Sequence, residues 1–457
     1  MELSLTEELA RWIEQVDYAQ LPTEVVERTK VSILDWLGNV LAGSTTPPAR
    51  MIHQLIQGQG GIPQVTVLGG ALGDEPGRWL RTSVLWAVLA NGGSSHVVEL
   101  DDVHKGAILH PGTVVIPAAV AVAEHLGLPG RRLIEAVVVG FDVCIRIGEA
   151  VTPSHYRFFH TTGTAGTFGA AAAVGKLLGL GVGPLVDALG NAGTQAAGLW
   201  EFIEDGAMSK HLHAGKAGMN GAMAALLAQK GFTGARRILE GDRGFFRAMA
   251  AEYDPSRVIR DLGSNYKILE NCFKIHSSCR HTHNAIDLVI DLVTENDIEP
   301  EEIEAIEVGT YLVALDITDQ PDPQTVYAAK FSLQFCVALA AVKKRASRKD
   351  FNETSLWDPV IRGVMSKIRV AVDPECEAVY PNKWAARVVL RTRSGARYTG
   401  RTDYPRGDFE NPVMTEELVA KFRDLAAEHV SEARLERWVD QILRLEKMSN
   451  VRELWAN

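Results

Sequence analysis

A run of small and apolar residues in the middle of the chain constrains the fold more than any other feature. Residues 167–181 read TFGAAAAVGKLLGLG and contain one charged side chain, Lys176. A helix with so few polar residues has no face to offer to water, so it is stable only when other elements surround it. Glycine and alanine also let neighbouring helices approach closely. The run therefore predicts a helix at the centre of an all-helical domain.

Similar segments on both sides extend this helical domain. Helical spacing of apolar residues predicts helices within residues 5–59 and at 78–91, 133–151, 185–195 and 214–231, with a short strand at 64–68. The helical pattern returns from Thr415 onward. At 457 residues the chain is longer than a single core normally supports, which favours two domains.

After residue 264 strands and helices alternate. The pattern predicts strands at 267–274, 303–310, 367–372, 387–390 and 397–402, and helices at 283–296 and 326–342. Such mixing is typical of an α+β domain. We therefore predict a mainly α protein in which residues 1–265 and 408–457 form a large helical domain and residues 266–407 form an inserted, smaller α+β lid domain. The functional site is expected in the cleft between the two domains.

Composition and charge exclude several functions. A net charge of −10 argues against nucleic-acid binding, which needs a basic surface. Apolar runs are interrupted before about 18 residues, so no membrane span is expected. The first residues lack the pattern of a signal peptide, which makes the cytoplasm the expected compartment. The five cysteines form no CxxC pair, so neither a disulfide framework nor a thiolate metal centre is expected.

A dense polar cluster precedes an apolar helix between residues 96 and 124. The cluster consists of His96, Glu99, Asp101, Asp102, His104 and His110. Buried groups of this kind are costly unless they pair with one another or take part in chemistry. A solvated loop and a helix-capping network are the two alternatives. Because apolar segments flank the cluster on both sides, we favour a functional site.

Two further stretches place basic groups at helix starts. The stretch SHYRFFHTTGT holds His155 and His160 before a helix whose N-terminal N–H groups can bind an anion, and capping by a threonine is the alternative. The stretch SKHLHAGKAG holds Lys210 and His213. Positive charge at a helix N-terminus opposes the helix dipole, so an anionic ligand would explain it.

A fourth stretch, KIHSSCRHTHNAID, precedes the first helix of the predicted α+β domain. The guanidinium of Arg280 is suited to bind a carboxylate through two hydrogen bonds. His281 and His283 have a spacing that zinc ligands can have, but no complete set of ligands follows. We therefore predict no metal site.

Taken in order, these segments resemble the MmgE/PrpD family over essentially the whole chain. The matching segments are HVVELDDVH, HPG, RFFHTTGTAGTFGAAAAVGKLLGL, SKHLHAGKAGMNG, KIHSSCRHTH and YPRGDFENP. Members of that family include 2-methylcitrate dehydratase, cis-aconitate decarboxylase and iminodisuccinate epimerase. The resemblance implies a helical domain with a smaller α+β lid domain, a homodimer, and catalysis without metal or organic cofactor.

The resemblance also implies the site residues. Glu99 takes the place of the site acid, His110 that of the histidine before Pro-Gly, His160 that of the histidine before the Gly-Thr-rich helix, and Lys210 that of the lysine before the Leu-His-x-Gly motif. Asp101 and Asp102 complete the predicted catalytic set. The predicted substrate-binding residues are Lys274, Cys279, Arg280, His281, His104 and His213. Two departures are Val103, where the family often has threonine, and Cys279, where the animal decarboxylase has histidine.

The chemistry shared by such enzymes is a carbanion next to a carboxylate. His110 and His160 are suited to the proton transfers, because imidazole titrates near neutral pH. Lys210 and Arg280 are suited to bind carboxylates. We therefore predict a cofactor-independent lyase, of the dehydratase or decarboxylase type, for a small di- or tricarboxylate. An epimerase of a dicarboxylate such as iminodisuccinate is the first alternative, and a non-catalytic polycarboxylate-binding protein is the second.

Overall fold

The structure is a computed structural model that describes residues 4–71 and 79–456. Contacts divide the chain into two compact units. The helical unit comprises Met1–Val97, Asp101–Cys272 and Met414–Asn457, and the mixed unit comprises Val98–Leu100 and Phe273–Val413. A mainly α fold with a smaller α+β part is thereby confirmed.

The bounds of the units differ from the predicted bounds. The mixed unit begins at Phe273 instead of residue 266, because residues 267–272 bond to the helical unit: the N–H of Lys267 donates to the carboxylate of Asp142 at 3.0 Å. It also includes Val98–Leu100, which sequence reasoning did not foresee.

Fourteen α-helices and a two-stranded antiparallel sheet are described in the helical unit. They are α1 (Leu5–Gln15), α2 (Thr23–Ser44), α3 (Pro47–Gln59), β1 (Val65–Ala71), β2 (Trp79–Thr82), α4 (Val84–His96), α5 (Gly112–Leu126), α6 (Gly130–Val151), α7 (Thr161–Leu177), α8 (Val182–Gly193), α9 (Phe202–Asp205), α10 (Ser209–Gln229), α11 (Phe245–Met249), α12 (Ser256–Ile259), α20 (Thr415–Ala426) and α21 (Glu432–Leu443). None of the helices in the described part of the chain is long and apolar enough to cross a membrane.

Helix α7 lies at the centre of the helical unit, as its composition predicts. All of its residues are buried, and it packs mainly against α6 and α10. The close contact depends on glycine: a Cβ atom at Gly169 would lie 2.6 Å from the carbonyl oxygen of Gly140 on α6. Any larger residue at position 169 would push the two helices apart. The tight packing fixes the start of α7, where His160 lies.

The helix predicted at residues 78–91 is wrong in its first part. Residue 78 lies outside the described residues, and Trp79–Thr82 form strand β2, which pairs with β1. The helix α4 begins only at Val84 and continues to His96. The four residues of β2 are too few to show a periodicity, so the pattern of the following helix concealed the strand.

The mixed unit contains a four-stranded sheet with helices packed on it. Its elements are α13 (His283–Glu295), β3 (Ile303–Thr310), α14 (Leu312–Thr318), α15 (Val326–Ala329), α16 (Leu333–Lys343), α17 (Glu353–Leu356), α18 (Pro359–Met365), β4 (Ile368–Val372), α19 (Pro374–Val379), β5 (Ala386–Thr392) and β6 (Arg397–Thr402). The strand order is β4-β3-β5-β6, with β4 parallel to β3 and the other pairs antiparallel.

Two predicted elements of this region differ from the structure. Residues 267–274 form a short 3₁₀ turn, Lys267–Glu270, instead of a strand, because polar contacts to α6 hold them. The helix predicted at 326–342 is interrupted: Ser332 caps α16 by accepting a hydrogen bond from the N–H of Phe335 at 3.0 Å. A serine followed by apolar residues is a helix-start signal that the overall periodicity concealed.

Candidate active site

An ionised carboxylate between two imidazole rings forms the first part of the candidate site. His96 is the last residue of α4, and Asp101 and His110 follow before α5. Oδ2 of Asp101 lies 2.6 Å from Nδ1 of His96 and 3.2 Å from Nδ1 of His110. Burial alone would raise the pKa of Asp101, but His96 and His110 hold that pKa well below its ordinary value. Asp101 is therefore a fixed negative charge that orients both rings.

The pKa of the adjacent Asp102 is shifted in the opposite direction to that of Asp101. Burial, and then the charge of Asp101, raise the pKa of Asp102 well above its ordinary value, although hydrogen bonds oppose this. Its carboxyl group accepts the N–H of Gly112, the first residue of α5, at 3.0 Å and the side-chain amide of Asn271 at 2.7 Å. These contacts favour a structural role for the Asp102 side chain, as a cap of α5, over the predicted catalytic role.

Contacts on both sides fix the orientation of His110. Its Nδ1 lies 2.7 Å from the backbone oxygen of Asp102, and its backbone N–H donates to Oγ1 of Thr162 at 3.0 Å. A carbonyl oxygen can only accept, so Nδ1 carries a proton and Nε2 is the nitrogen that exchanges protons. The carbonyl and the nearby Asp101 carboxylate would both stabilise positive charge that develops on this ring.

His160 lies immediately before α7, within a group of other rings. It stacks on His96 with ring centres 5.5 Å apart, and its Nδ1 lies 3.3 Å from Nδ1 of His213. Burial is the main cause that lowers the pKa of His160 well below its ordinary value, and the charges of His96, Lys210, His213 and His110 act in the same direction. His160 is therefore a neutral ring at neutral pH and can accept a proton.

A buried lysine and two aromatic rings complete this cluster. Lys210 lies in the first turn of α10 and is 3% exposed. The indole ring of Trp200 lies 5.0 Å from the ring of His160, and the ring of Phe202 lies 5.6 Å from that of His213. An ammonium group buried beside imidazole rings creates a positive potential, which favours an anionic ligand.

Two groups of side chains have spacings that a metal ion could use. They are His96, His110 and His160, and His104, Glu149 and Glu270, and within each group the ligand atoms lie within 4.8 Å of one another. A zinc ion would require each ligating nitrogen to lie about 2.0–2.1 Å from it. In the second group the ammonium of Lys267 already bonds to both carboxylates. That the reaction needs no metal stays a prediction.

His104 was predicted to bind substrate, and the structure places it in this second group. Its Nδ1 accepts the N–H of Ala107 at 3.1 Å, and its Nε2 lies 3.4 Å from the carboxylate of Glu270. Burial would raise the pKa of Glu270, but His104 and Lys267 hold that pKa below its ordinary value. The contacts favour a structural role, in which His104 fixes the loop before α5.

His155 lies outside the cluster around His160. Its Nδ1 donates to the backbone oxygen of Met249 at 2.9 Å, and its Nε2 lies 2.8 Å from Oγ1 of Thr164. The ring is fully buried and stacks on Phe159. Burial lowers the pKa of His155 to about 4. This histidine is a structural link between α7 and the segment near residue 249.

The buried His155 predicts a specific pH dependence of stability. Its pKa is about 4 in the folded protein and near its ordinary value of 6.5 when unfolded. The stabilisation from the neutral ring is therefore fully present above pH 6.5 and is lost as the pH falls toward 4. In urea unfolding, the free-energy difference between wild type and His155→Asn should shrink by about 3 kcal/mol from pH 7 to pH 4. A difference that is constant with pH would contradict this assignment.

In the mixed unit, Glu99 and Lys274 form a buried ion pair. Nζ of Lys274 lies 3.2 Å from Oε2 of Glu99, and each residue is 1% exposed. The backbone of Glu99 has φ 58°, in the left-handed region that residues other than glycine seldom adopt. A strained backbone of this kind persists only where surrounding contacts hold it in place, and it is frequent at functional sites.

The side chain of Arg280 and the backbone of Cys279 form hydrogen bonds with other groups of the mixed unit. The guanidinium of Arg280 forms an ion pair with Asp408 and bonds to Nδ1 of His283 at 2.9 Å. The N–H of Cys279 donates to the backbone oxygen of Lys330 at 2.9 Å. The contacts of Arg280 favour a structural role over the predicted grip on a substrate carboxylate.

His281 lies in an aromatic environment. Its ring stacks on Trp384 at 4.4 Å, and its Nδ1 lies 2.6 Å from the hydroxyl group of Tyr311. Burial, assisted by the charge of Lys274, lowers the pKa of His281 to about 3. The ring is therefore neutral over the physiological pH range. If His281 binds substrate as predicted, it does so as a neutral ring through a hydrogen bond, and not through a positive charge on the ring.

Sequence reasoning assigned no role to His96, Trp200 or Lys330. His96 belongs to the polar cluster that the sequence shows, but only the structure reveals that Nε2 of His96 is buried without a hydrogen-bond partner among residues 4–71 and 79–456. Trp200 lies in an irregular segment without a motif. Lys330 follows an ordinary helical pattern, and no local signal distinguishes it.

Comparison with known proteins provides independent evidence. The MmgE/PrpD N-terminal domain matches residues 7–258, and the MmgE/PrpD C-terminal domain matches residues 276–447. A cis-aconitate decarboxylase of Aspergillus terreus is 26% identical, over 98% of this chain and 95% of that protein. The human cis-aconitate decarboxylase is 27% identical, over 98% of this chain and 93% of that protein. The resemblance inferred from the motifs is thereby confirmed.

Proposed function

The chain belongs to the MmgE/PrpD family, and on this premise we propose that it is a cofactor-independent lyase that removes CO2 from a small di- or tricarboxylate. The observation that carries the proposal is the pairing of two different imidazoles beside Lys210. His160 is neutral and can accept a proton, whereas His110 is supported by Asp101 and can deliver one. The names and full-length coverage of the relatives agree with a lyase.

An anionic substrate would raise the pKa of His160 toward neutral pH, where the ring can take up and release a proton. In the free protein, burial and then positively charged neighbours lower the pKa of His160. A carboxylate bound near Lys210 would offset those charges and raise that pKa again, because an opposite charge favours the protonated ring. The site would thus become reactive when substrate is bound. A neutral substrate analogue would lack this effect.

The proposed reaction balances without an oxidant or a cofactor. The bond between the substrate carbon and its carboxylate breaks, CO2 leaves, and the electron pair remains on carbon. Protonated His110 then delivers a proton to that carbon through Nε2, while the Asp101 carboxylate stabilises the charged ring before the transfer. His110 regains its proton from water, and His160, whose ring centre lies 6.2 Å from that of His110, accepts the incoming proton and passes it on. Lys210 would hold a second carboxylate of the substrate, and its charge would offset the negative charge that develops.

The experiment is a screen by proton NMR in D2O with cis-aconitate, citrate, 2-methylcitrate and iminodisuccinate. We expect CO2 loss from a tricarboxylate such as cis-aconitate, with one deuteron incorporated per turnover and the same rate after exhaustive chelation. Loss of activity on chelation that one specific metal restores would contradict a metal-free reaction. No turnover and no exchange with any of these acids would contradict the lyase proposal and favour a binding protein.

An epimerase uses the same proton-transfer groups, so the screen must also separate that alternative. In epimerisation one ring removes a proton and the other returns one to the opposite face, and no atom is lost. Deuterium exchange in iminodisuccinate without loss of CO2 or water would identify this activity. In that case the roles of His110 and His160 would stand, and only the substrate assignment would change.

A further inference from the structure

A three-residue segment of the mixed unit is held by side chains from the rest of that unit. The chain leaves the helical unit after Val97, contributes Val98–Leu100 to the mixed unit and returns at Asp101. The backbone oxygen of Val98 accepts a hydrogen bond from Oγ of Ser277 at 2.8 Å and from Nζ of Lys330 at 2.9 Å. The two donors are themselves 3.1 Å apart, with Nζ of Lys330 donating to Oγ of Ser277.

This contact lies next to the strained Glu99. The carbonyl group of Val98 belongs to the peptide bond that joins Val98 to Glu99. The two donors therefore fix the orientation of the peptide plane that precedes Glu99, whose φ lies in the left-handed region. The other end of the residue is fixed by the ion pair with Lys274. Glu99 is therefore held through both its main chain and its side chain.

The ammonium group of Lys330 is buried, although it bonds to a neutral carbonyl oxygen and not to a carboxylate. The residue is 8% exposed, and its ammonium lies 5.9 Å from the ring centre of Phe351. Burial lowers the pKa of Lys330 to about 8; Glu99 and Cys336 oppose the shift, whereas Lys274 and Arg348 add to it. A buried ammonium costs free energy, and Lys330 forms no ion pair within 4.0 Å among the residues that the structure describes. Its position is explained if it is needed to hold the segment.

We propose that Lys330 is a positioning residue, which acts through the Val98 carbonyl group to place Glu99 for the reaction. The proposal rests on the proposed function and adds a role for Glu99, which the family resemblance gives as the site acid. Ser277 assists by the same contact. Lys330 itself need not touch the substrate, and its contribution passes through the backbone of Glu99.

The test compares Lys330→Met with a matched control, Lys176→Met. Lys176 is also 8% exposed and also donates to a backbone oxygen, that of Glu14 at 2.8 Å, but it lies on α7 far along the chain from Glu99. Both variants should lose similar stability. Only Lys330→Met should lower kcat, by about 10- to 100-fold with little change in KM, because it removes charge-assisted contacts that place the acid.

Two further measurements separate positioning from a general structural effect. In a Glu99→Gln background, Lys330→Met should cause no additional loss of kcat, since residues that act through one group are not additive. Hydrogen–deuterium exchange of the peptide around residues 97–101 should become at least about tenfold faster in Lys330→Met and stay unchanged in Lys176→Met. The exchange measurement does not depend on activity.

The positioning role of Lys330 and the proposed lyase function can fail independently of each other. Unchanged exchange in the peptide, or a loss of kcat that adds to that of Glu99→Gln, would overturn the positioning role. If wild type turns over none of the candidate acids, the proposed function fails, while the exchange measurement still decides whether Lys330 holds the segment. If Lys330→Met does not fold, Ser277→Ala removes the other donor and is tested with the same measurements and outcomes.

Discussion

Replacement of His160 by alanine is expected to lower kcat by about 10²–10⁴-fold with a modest effect on KM. The expected loss is large because the ring is the neutral proton acceptor in the cluster. KM should change little because a neutral ring adds no charge to the attraction of an anionic substrate. Steady-state kinetics on the substrate identified by the NMR screen provide the measurement.

A buried histidine elsewhere in the helical unit gives the control. His53 is 7% exposed and its Nε2 lies 3.3 Å from Oγ of Ser94. His53→Ala should therefore lose stability while kcat stays close to that of wild type. If His160→Ala keeps the wild-type kcat, His160 is not the proton acceptor, and the segment from Asp101 to His110 must carry the proton transfers alone.

The helical core could be predicted from sequence because its signal is local. Fifteen consecutive residues with one charge exclude an exposed helix, and α7 is buried over its whole length. The signal of β3 is also local: its alternating pattern of apolar and polar residues predicted its bounds at 303–310. Elements whose residue pattern reflects burial on one or all sides can be predicted without knowledge of their partners.

The site could be predicted only in part, because a role depends on contacts between distant segments. Arg280 has the chemistry of a carboxylate ligand, yet its guanidinium bonds to Asp408, which lies 128 residues later in the chain. Asp102 has the chemistry of a catalytic acid, yet it caps α5 and bonds to Asn271. Residue type and motif selected His110 and His160, whose rings the structure brings close together, but could not show which polar groups are already engaged by others.

Replacement of Lys210 by alanine is the second large expected effect, and its physical cause differs from that of His160. The ammonium of Lys210 is the buried positive charge beside the imidazole rings, and it helps to lower the pKa of His160. Loss of a charge-assisted contact with a substrate carboxylate is worth about 1.5–3 kcal/mol, so kcat/KM should fall by about 10- to 150-fold, with a clear rise in KM.

The same substitution should also change the titration of His160, which the loss of a lysine distant from that ring would not do. Without Lys210, a positive neighbour that lowers the pKa of His160 is removed, so that pKa should move upward toward its ordinary value. The free variant should then begin to take up a proton at a higher pH than wild type, which NMR titration of the imidazole signals can measure. Lys230→Ala, at the exposed end of the same helix, is the control and should leave both KM and the titration unchanged. An unaltered His160 titration in Lys210→Ala would show that the two groups do not interact, and the lysine would then have to be removed from the site.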